Sequence, residues 1–390
     1  MLHYSSLQGK EINIIIKLWD DYSFKEIYIS NAVKKEIEYE KEIEIRKVKD
    51  WSSEYKRLAL SYYKVSVYLA SDILENNDNP RILDTVFPVS LFLARQGIEL
   101  LCKSLILKEI STENSLKLFK DNGHNIYNLW QEYKELNPNI DREKFKKLSV
   151  YFESINKYND ANSDLWRYPL FEELNNNQEK LKVLNGKTIS IKRTFGSLSR
   201  VFSLLLDLNE TSENLEQYIV FINNKEDALS NCYLWEDYEK GNQYTGRAIG
   251  YIEAAKMIFS NELLIDEKNY PLACVLRQGI ELLLKDYLAS NFCEFYHNHH
   301  VGSVKHGAGK KVIASLKERV PLIECCELDT IEKMLGQIDE LDREGNKFKY
   351  PTSLDFFNKT TITTRNMDID ILYSYVISIA EYFDYLSYLV

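Results

Sequence analysis

Apolar side chains recur at helical spacing through most of this chain. From Trp51 to Leu74, Leu58, Tyr62, Val65, Tyr68 and Leu69 fall on one side of a helix. The run Asn76-Asn77-Asp78-Asn79-Pro80 ends it. A second, longer helix is predicted over about 84–110 and a third over about 125–136, between a Gly123-His124 turn and Pro138. Asp141 suits the N-cap of a fourth, about 142–158. Leu165-Trp166-Arg167-Tyr168-Pro169 reads as extended, because the residue before proline avoids the helical region. A helix over Phe195–Leu208 follows, then a linker with a short helix of its own over 210–240. Helices are predicted again over 243–264, 271–290, 308–319, 327–343 and 367–389, with Lys347–Pro351 extended. Residues 1–45 differ. Glu11–Lys17 and Lys25–Ser30 are β-branched and aromatic around Asp20–Ser23, which predicts a hairpin or extended arm, and a charged lead-in helix follows over 31–50.

The order of elements is repeated because the sequence is. Arg95-Gln-Gly-Ile-Glu-Leu-Leu-Cys-Lys103 returns 182 positions later as Arg277-Gln-Gly-Ile-Glu-Leu-Leu-Leu-Lys285. His124 follows Arg95 by 29 positions, and His306 follows Arg277 by 29. Tyr168 and Tyr350, each before a proline, both lie 73 beyond. Marks repeated at one offset imply two copies of one unit, which can build a site at their own seam. The predicted organisation is an arm and lead-in over 1–50, a first helical domain over 51–209, a linker over 210–242 and a second domain over 243–390.

Composition fits this picture. The chain has 390 residues, 45% apolar and 28% charged, with seven prolines and fourteen glycines, a scarcity that favours long helices. A formal charge of −10 argues against broad duplex binding. No secretory signal or transmembrane run is expected, since Ile369–Leu389 is interrupted by Asp370, Glu381 and Asp384. The six cysteines form no Cys-x-x-Cys pair and read as reduced thiols of a cytoplasmic protein.

The candidate chemistry lies on the repeated helix. Arg95, Glu99 and Lys103 share one stripe beside an apolar one, as do Arg277, Glu281 and Lys285. Such a row is either two ordinary i,i+4 ion pairs or an anchored polar cluster, with Glu99 and Glu281 orienting the cations toward a phosphate or carboxylate. Gly97 and Gly279, in mid-helix, suggest close helix approach. His124 and His306 are either general acid–base groups or helix-start residues bonded to a loop carbonyl. Arg167-Tyr168-Pro169 and Lys349-Tyr350-Pro351 are either lids over the stripe or packing straps. His297-Asn-His-His300 lies in one copy only, with no completing ligand nearby, so no metal is expected. No glycine-rich phosphate loop is present.

The motifs "LARQGIELLCKSLI", "GHNIYNLW" and "LWRYP", with "LRQGIELLLKDYL", "KHGAGKKVIASL" and "FKYP" in the second half, resemble a HEPN domain in tandem. The resemblance covers about 51–209 and 244–389. It implies an all-α fold of two up-and-down helical bundles packed as a pseudo-dimer. Many HEPN proteins are metal-independent ribonucleases of toxin–antitoxin or antiphage systems, with a site across a domain interface. That site uses an arginine followed by four to six residues and a histidine. None of the six histidines here has that spacing, so non-nucleolytic HEPN domains that bind nucleotides or partner proteins are the closer comparison. The expectation is a cofactor-free cytoplasmic binding or regulatory protein of a defence or toxin system, off the membrane and able to form homo-oligomers. Arg95, Lys103, Arg167, Arg277, Lys285, His306 and Lys349 would meet an anionic ligand (nucleotide or RNA) or a partner protein. In the alternative, a non-standard endoribonuclease, His124 is the base, with Arg95 and Arg167 steadying the phosphorane. A third reading is an interaction module whose stripes are internal ion pairs.

Overall fold

The structure, a computed structural model, describes residues 50–75, 80–139, 141–157, 166, 188–209, 231–233, 245–264, 267–291, 313–314, 325–342, 348–351 and 369–389. The expected arm and lead-in helix, Arg167, His306, the 297–300 histidines and nearly all of the 308–319 helix lie outside them.

The described fold is all-α apart from one short ladder. Ten α-helices follow in order: α1 Trp51–Glu75, α2 Pro80–Glu109, α3 Thr112–Asn122, α4 Ile126–Leu136, α5 Arg142–Lys157, α6 Ile191–Leu208, α7 Thr245–Ser260, α8 Asn269–Asn291, α9 Cys325–Leu341 and α10 Ile369–Leu389. A 3-10 turn, Glu262–Leu264, leaves α7. Strands β1 (Thr188–Ser190) and β2 (Asn231–Tyr233) pair antiparallel, Ile189 opposite Cys232. Residues 231–233 lie in the expected linker and are extended. The ladder with β1 pairs their backbone groups.

Local signals explain most boundaries. The Asp141 carboxylate accepts from the Glu143 and Lys144 amides at 2.9 Å each and starts α5 as anticipated. Asn125 caps α4 by accepting from the Asn128 amide at 2.9 Å. Helix α3 was not anticipated. It is polar, but Ser111 caps it and Phe119 is fully buried. Gly123, at φ 57°, takes the left-handed turn that ends it and sets His124 at the entry to α4.

One continuous apolar core runs through both halves. Helices α1 and α2 pack along their lengths, as do α7 and α8; α7 lies on α2, and α8 touches both α1 and α10. Glycine sets the closest of these approaches. A methyl at Gly97 would stand 3.0 Å from the Ala59 carbonyl oxygen, and one at Gly279 would stand 3.2 Å from Tyr251 Cβ. The matched mid-helix glycines therefore serve close packing in both halves. Gly250 does the same between halves, where a methyl would lie 2.7 Å from the Thr85 carbonyl carbon and closer still to its oxygen. Phe92 against Tyr251 (ring centroids 5.9 Å apart) and the Lys64–Glu267 ion pair (2.9 Å) also cross between halves. Among the described residues, Ile82–Glu109 has the length and composition to span a membrane, and 94% of its most apolar window is buried inside this fold.

Candidate functional site

The repeated charged ridge is interior. Arg95, Glu99 and Lys103 are 2%, 0% and 1% exposed, and Arg277, Glu281 and Lys285 are buried with them. The cations expected to meet a ligand therefore stand beneath the surface. The stripe borders the core face on helices packed on several sides, so the neighbouring helices and residues 348–351 cover it.

In the first half part of the cover comes from the second half. The Tyr62 hydroxyl donates to the Phe348 carbonyl at 2.7 Å, and Gln96 Nε2 donates to the Lys349 carbonyl at 3.3 Å. Two bonds thus fix the backbone of the Lys349-Tyr350-Pro351 strap on α1 and α2. Lys349 was grouped with Arg277, Glu281 and Lys285; its backbone lies on the other motif, and its side chain is buried. The strap's Tyr350 hydroxyl then donates to Glu99 Oε1 at 2.6 Å and meets His124 Nδ1 at hydrogen-bond range. Its ring stacks on the His124 imidazole, centroids 5.6 Å apart.

Glu99 is the hub of this cluster. Its Oε1 also accepts from Lys103 Nζ at 2.7 Å and faces His124 Nδ1 at 3.4 Å, while its Oε2 has no hydrogen-bond partner among the described residues. Burial pushes its carboxyl up, but the Lys103 charge, then His124, then Arg95 outweigh burial and hold it well below the usual carboxylate range. Lys103 Nζ sits over the Tyr350 ring at 4.2 Å and the Phe119 ring at 5.4 Å, so two aromatic faces share its charge. The neighbouring Cys102 thiol is pushed up to about 12 by burial and is inert packing. His124 alone reaches outward, its side chain 32% exposed. It bonds a carboxylate and a phenol, where a loop carbonyl was one expected partner.

The second ridge is wired differently. Glu281 uses both oxygens, Oε1 for Lys285 Nζ at 2.8 Å and Oε2 facing Arg277 Nη1 at 3.5 Å. Arg277 Nε donates to the Asp342 carbonyl at 3.1 Å, and its Nη2 lies 3.9 Å from Asp339. This guanidinium therefore ties α8 to the end of α9. Gln278, which matches Gln96, has no hydrogen-bond partner for its Nε2 among the described residues.

The candidate site is therefore one mixed cluster, Arg95, Glu99, Lys103, His124 and Tyr350, assembled from both halves, together with an internal ionic tie at Arg277, Glu281 and Lys285. Periodicity missed Asp339 and Asp342, which sit at the end of an ordinary amphipathic helix. Among the described residues no three His, Cys, Asp or Glu side chains are grouped to hold a metal. A scan against protein-family models, a search of characterised proteins and a search of solved structures find no match to this chain.

Proposed function

We propose that the chain is a tandem HEPN-like pseudo-dimer acting as a cytoplasmic binding or regulatory protein of a bacterial antiphage defence or toxin–antitoxin system. Its ligand-facing site is the first-half cluster, with His124 as the contact residue and Arg95, Glu99 and Lys103 as its charged floor. An anionic ligand, RNA or a nucleotide, is the first choice, and a partner protein is the other occupant of the same face. The observation that carries this reading is Tyr350 of the second half bonded to Glu99 of the first. Paired domains with a site at their seam are what the HEPN resemblance implies, and two fused repeats would build such a seam within one chain.

Titration of a labelled single-stranded RNA and of ATP into wild-type protein and His124→Ala tests it. Binding that the substitution weakens at least tenfold supports the reading. Equal binding by both proteins places the ligand elsewhere. The endoribonuclease alternative is favoured by a different feature, the Glu99–His124 pair with the imidazole partly exposed. Cleavage of total RNA, abolished by His124→Ala, would replace the binding reading with that one.

A further inference from the structure

The arrangement around His124 fixes where its proton sits. The Tyr350 hydroxyl has one hydrogen and stands between Glu99 Oε1, at 2.6 Å, and His124 Nδ1. Glu99 is ionised, and its oxygen is acceptor-only. The phenolic hydrogen must therefore point at Glu99. Otherwise two oxygen lone pairs would face each other at hydrogen-bond distance in a buried site. The phenolic oxygen is left to accept, and the hydrogen it accepts comes from Nδ1. The same Nδ1–H also faces Glu99 Oε1 at 3.4 Å. A bare lone pair at Nδ1 fits neither contact. In the neutral imidazole the lone pair then lies at Nε2, which has no hydrogen-bond partner among the described residues, on a ring 32% exposed. The two ring nitrogens of a histidine are distinct, and the hydrogen bond that one of them makes decides which carries the proton, so the protein is selecting one tautomer.

We infer that His124 Nε2 is the proton-accepting atom this seam offers to a bound ligand, and that Tyr350, supplied by the second half, is a positioning residue that fixes it there. The ligand class is one that presents a hydroxyl to a nitrogen base. For RNA this is the ribose 2′-hydroxyl. Its proton passes to Nε2, its oxygen bonds to phosphorus, the bond from phosphorus to the 5′-oxygen breaks, and that oxygen takes a proton from water. The choice of RNA rests on the ribonuclease reading; the assignment of the atom does not.

The test uses full-length protein with histidine labelled in both ring nitrogens, recorded by long-range nitrogen–proton correlation at about pH 9, where ordinary imidazole is neutral. His124 is assigned by the signal that His124→Gln removes. The expected spectrum shows Nδ1 protonated and Nε2 bare, with a shift toward the Nε2-protonated form in Tyr350→Phe. A wild-type His124 that carries its proton on Nε2 overturns the inference without any need for the variant to fold. An unchanged tautomer in a folded Tyr350→Phe removes Tyr350 from its role. Cleavage of single-stranded RNA is the separate arm. With the tautomer in place, no cleavage refutes the ribonuclease reading alone.

Discussion

Gly250→Ala probes the seam directly. Gly250 lies inside α7, and its Cα faces the Thr85 carbonyl of α2. The new methyl would stand 2.7 Å from the carbonyl carbon, well inside any normal contact. The obstacle is backbone, so no rotamer change relieves it, and the two halves must separate locally. Overpacking of this kind costs about 1–3 kcal/mol, and a rigid neighbour puts this site near the upper end. Alanine in place of a mid-helix glycine returns about 1 kcal/mol of helix propensity. The net expectation is a loss of about 2 kcal/mol, read as a lower urea midpoint at unchanged slope. Gly196→Ala in α6 and Gly336→Ala in α9 are internal controls, because no described residue lies within 4 Å of a methyl at either position. Both should hold or raise stability, by at most about 1 kcal/mol. A Gly250→Ala protein as stable as those controls would refute the packing of α7 on α2 described above.

Other outcomes follow from the same geometry. Lys103→Met should destabilise by about 3–5 kcal/mol in urea unfolding, since it leaves the Glu99 carboxylate buried without its closest cation; a loss below about 1 kcal/mol would mean the ridge is open to water. Because the Glu99 carboxyl is held below its ordinary range, its contribution is present above the normal glutamate value of about 4.3 and is lost as pH falls below it. The stability gap between wild type and Glu99→Gln should therefore narrow between about pH 6 and pH 3, and a gap that widens on acidification reverses the sign. Cys102, buried and pushed up to about 12, should resist iodoacetamide at about pH 8 until the chain unfolds; peptide mapping by mass spectrometry reads this out.

The helices could be read in the sequence where apolar residues keep a 3.6 period. Helices α1, α4, α5, α8, α9 and α10 fall within two residues of the predicted spans. Helix α3 could not be read that way. Thr112–Asn122 carries only Leu116, Leu118 and Phe119 as large apolar residues, and the Ser111 cap was its one signal. Three residues of β2 are too few for alternation to show. The charged ridge was visible as a stripe, yet its burial was not. A stripe at the border of an apolar face is solvated or covered according to what docks there, and that is a tertiary fact. The repeat identified equivalent positions in the two halves. It did not say that a strap would cross to the other half, because an internal offset records ancestry and not which surface a segment lies on.

The crossing of residue 350 onto residues 99 and 103 sets a schedule for synthesis. Lys103 precedes Tyr350 by 247 positions in the chain. At about 5–20 residues per second, translation leaves the Glu99–Lys103 pair without Tyr350 for about 12–50 s. For that interval the nascent first half displays a charged pit destined for the interior. A chaperone, or a nascent neighbour on the same messenger, has that long to reach it before the chain supplies its own tyrosine.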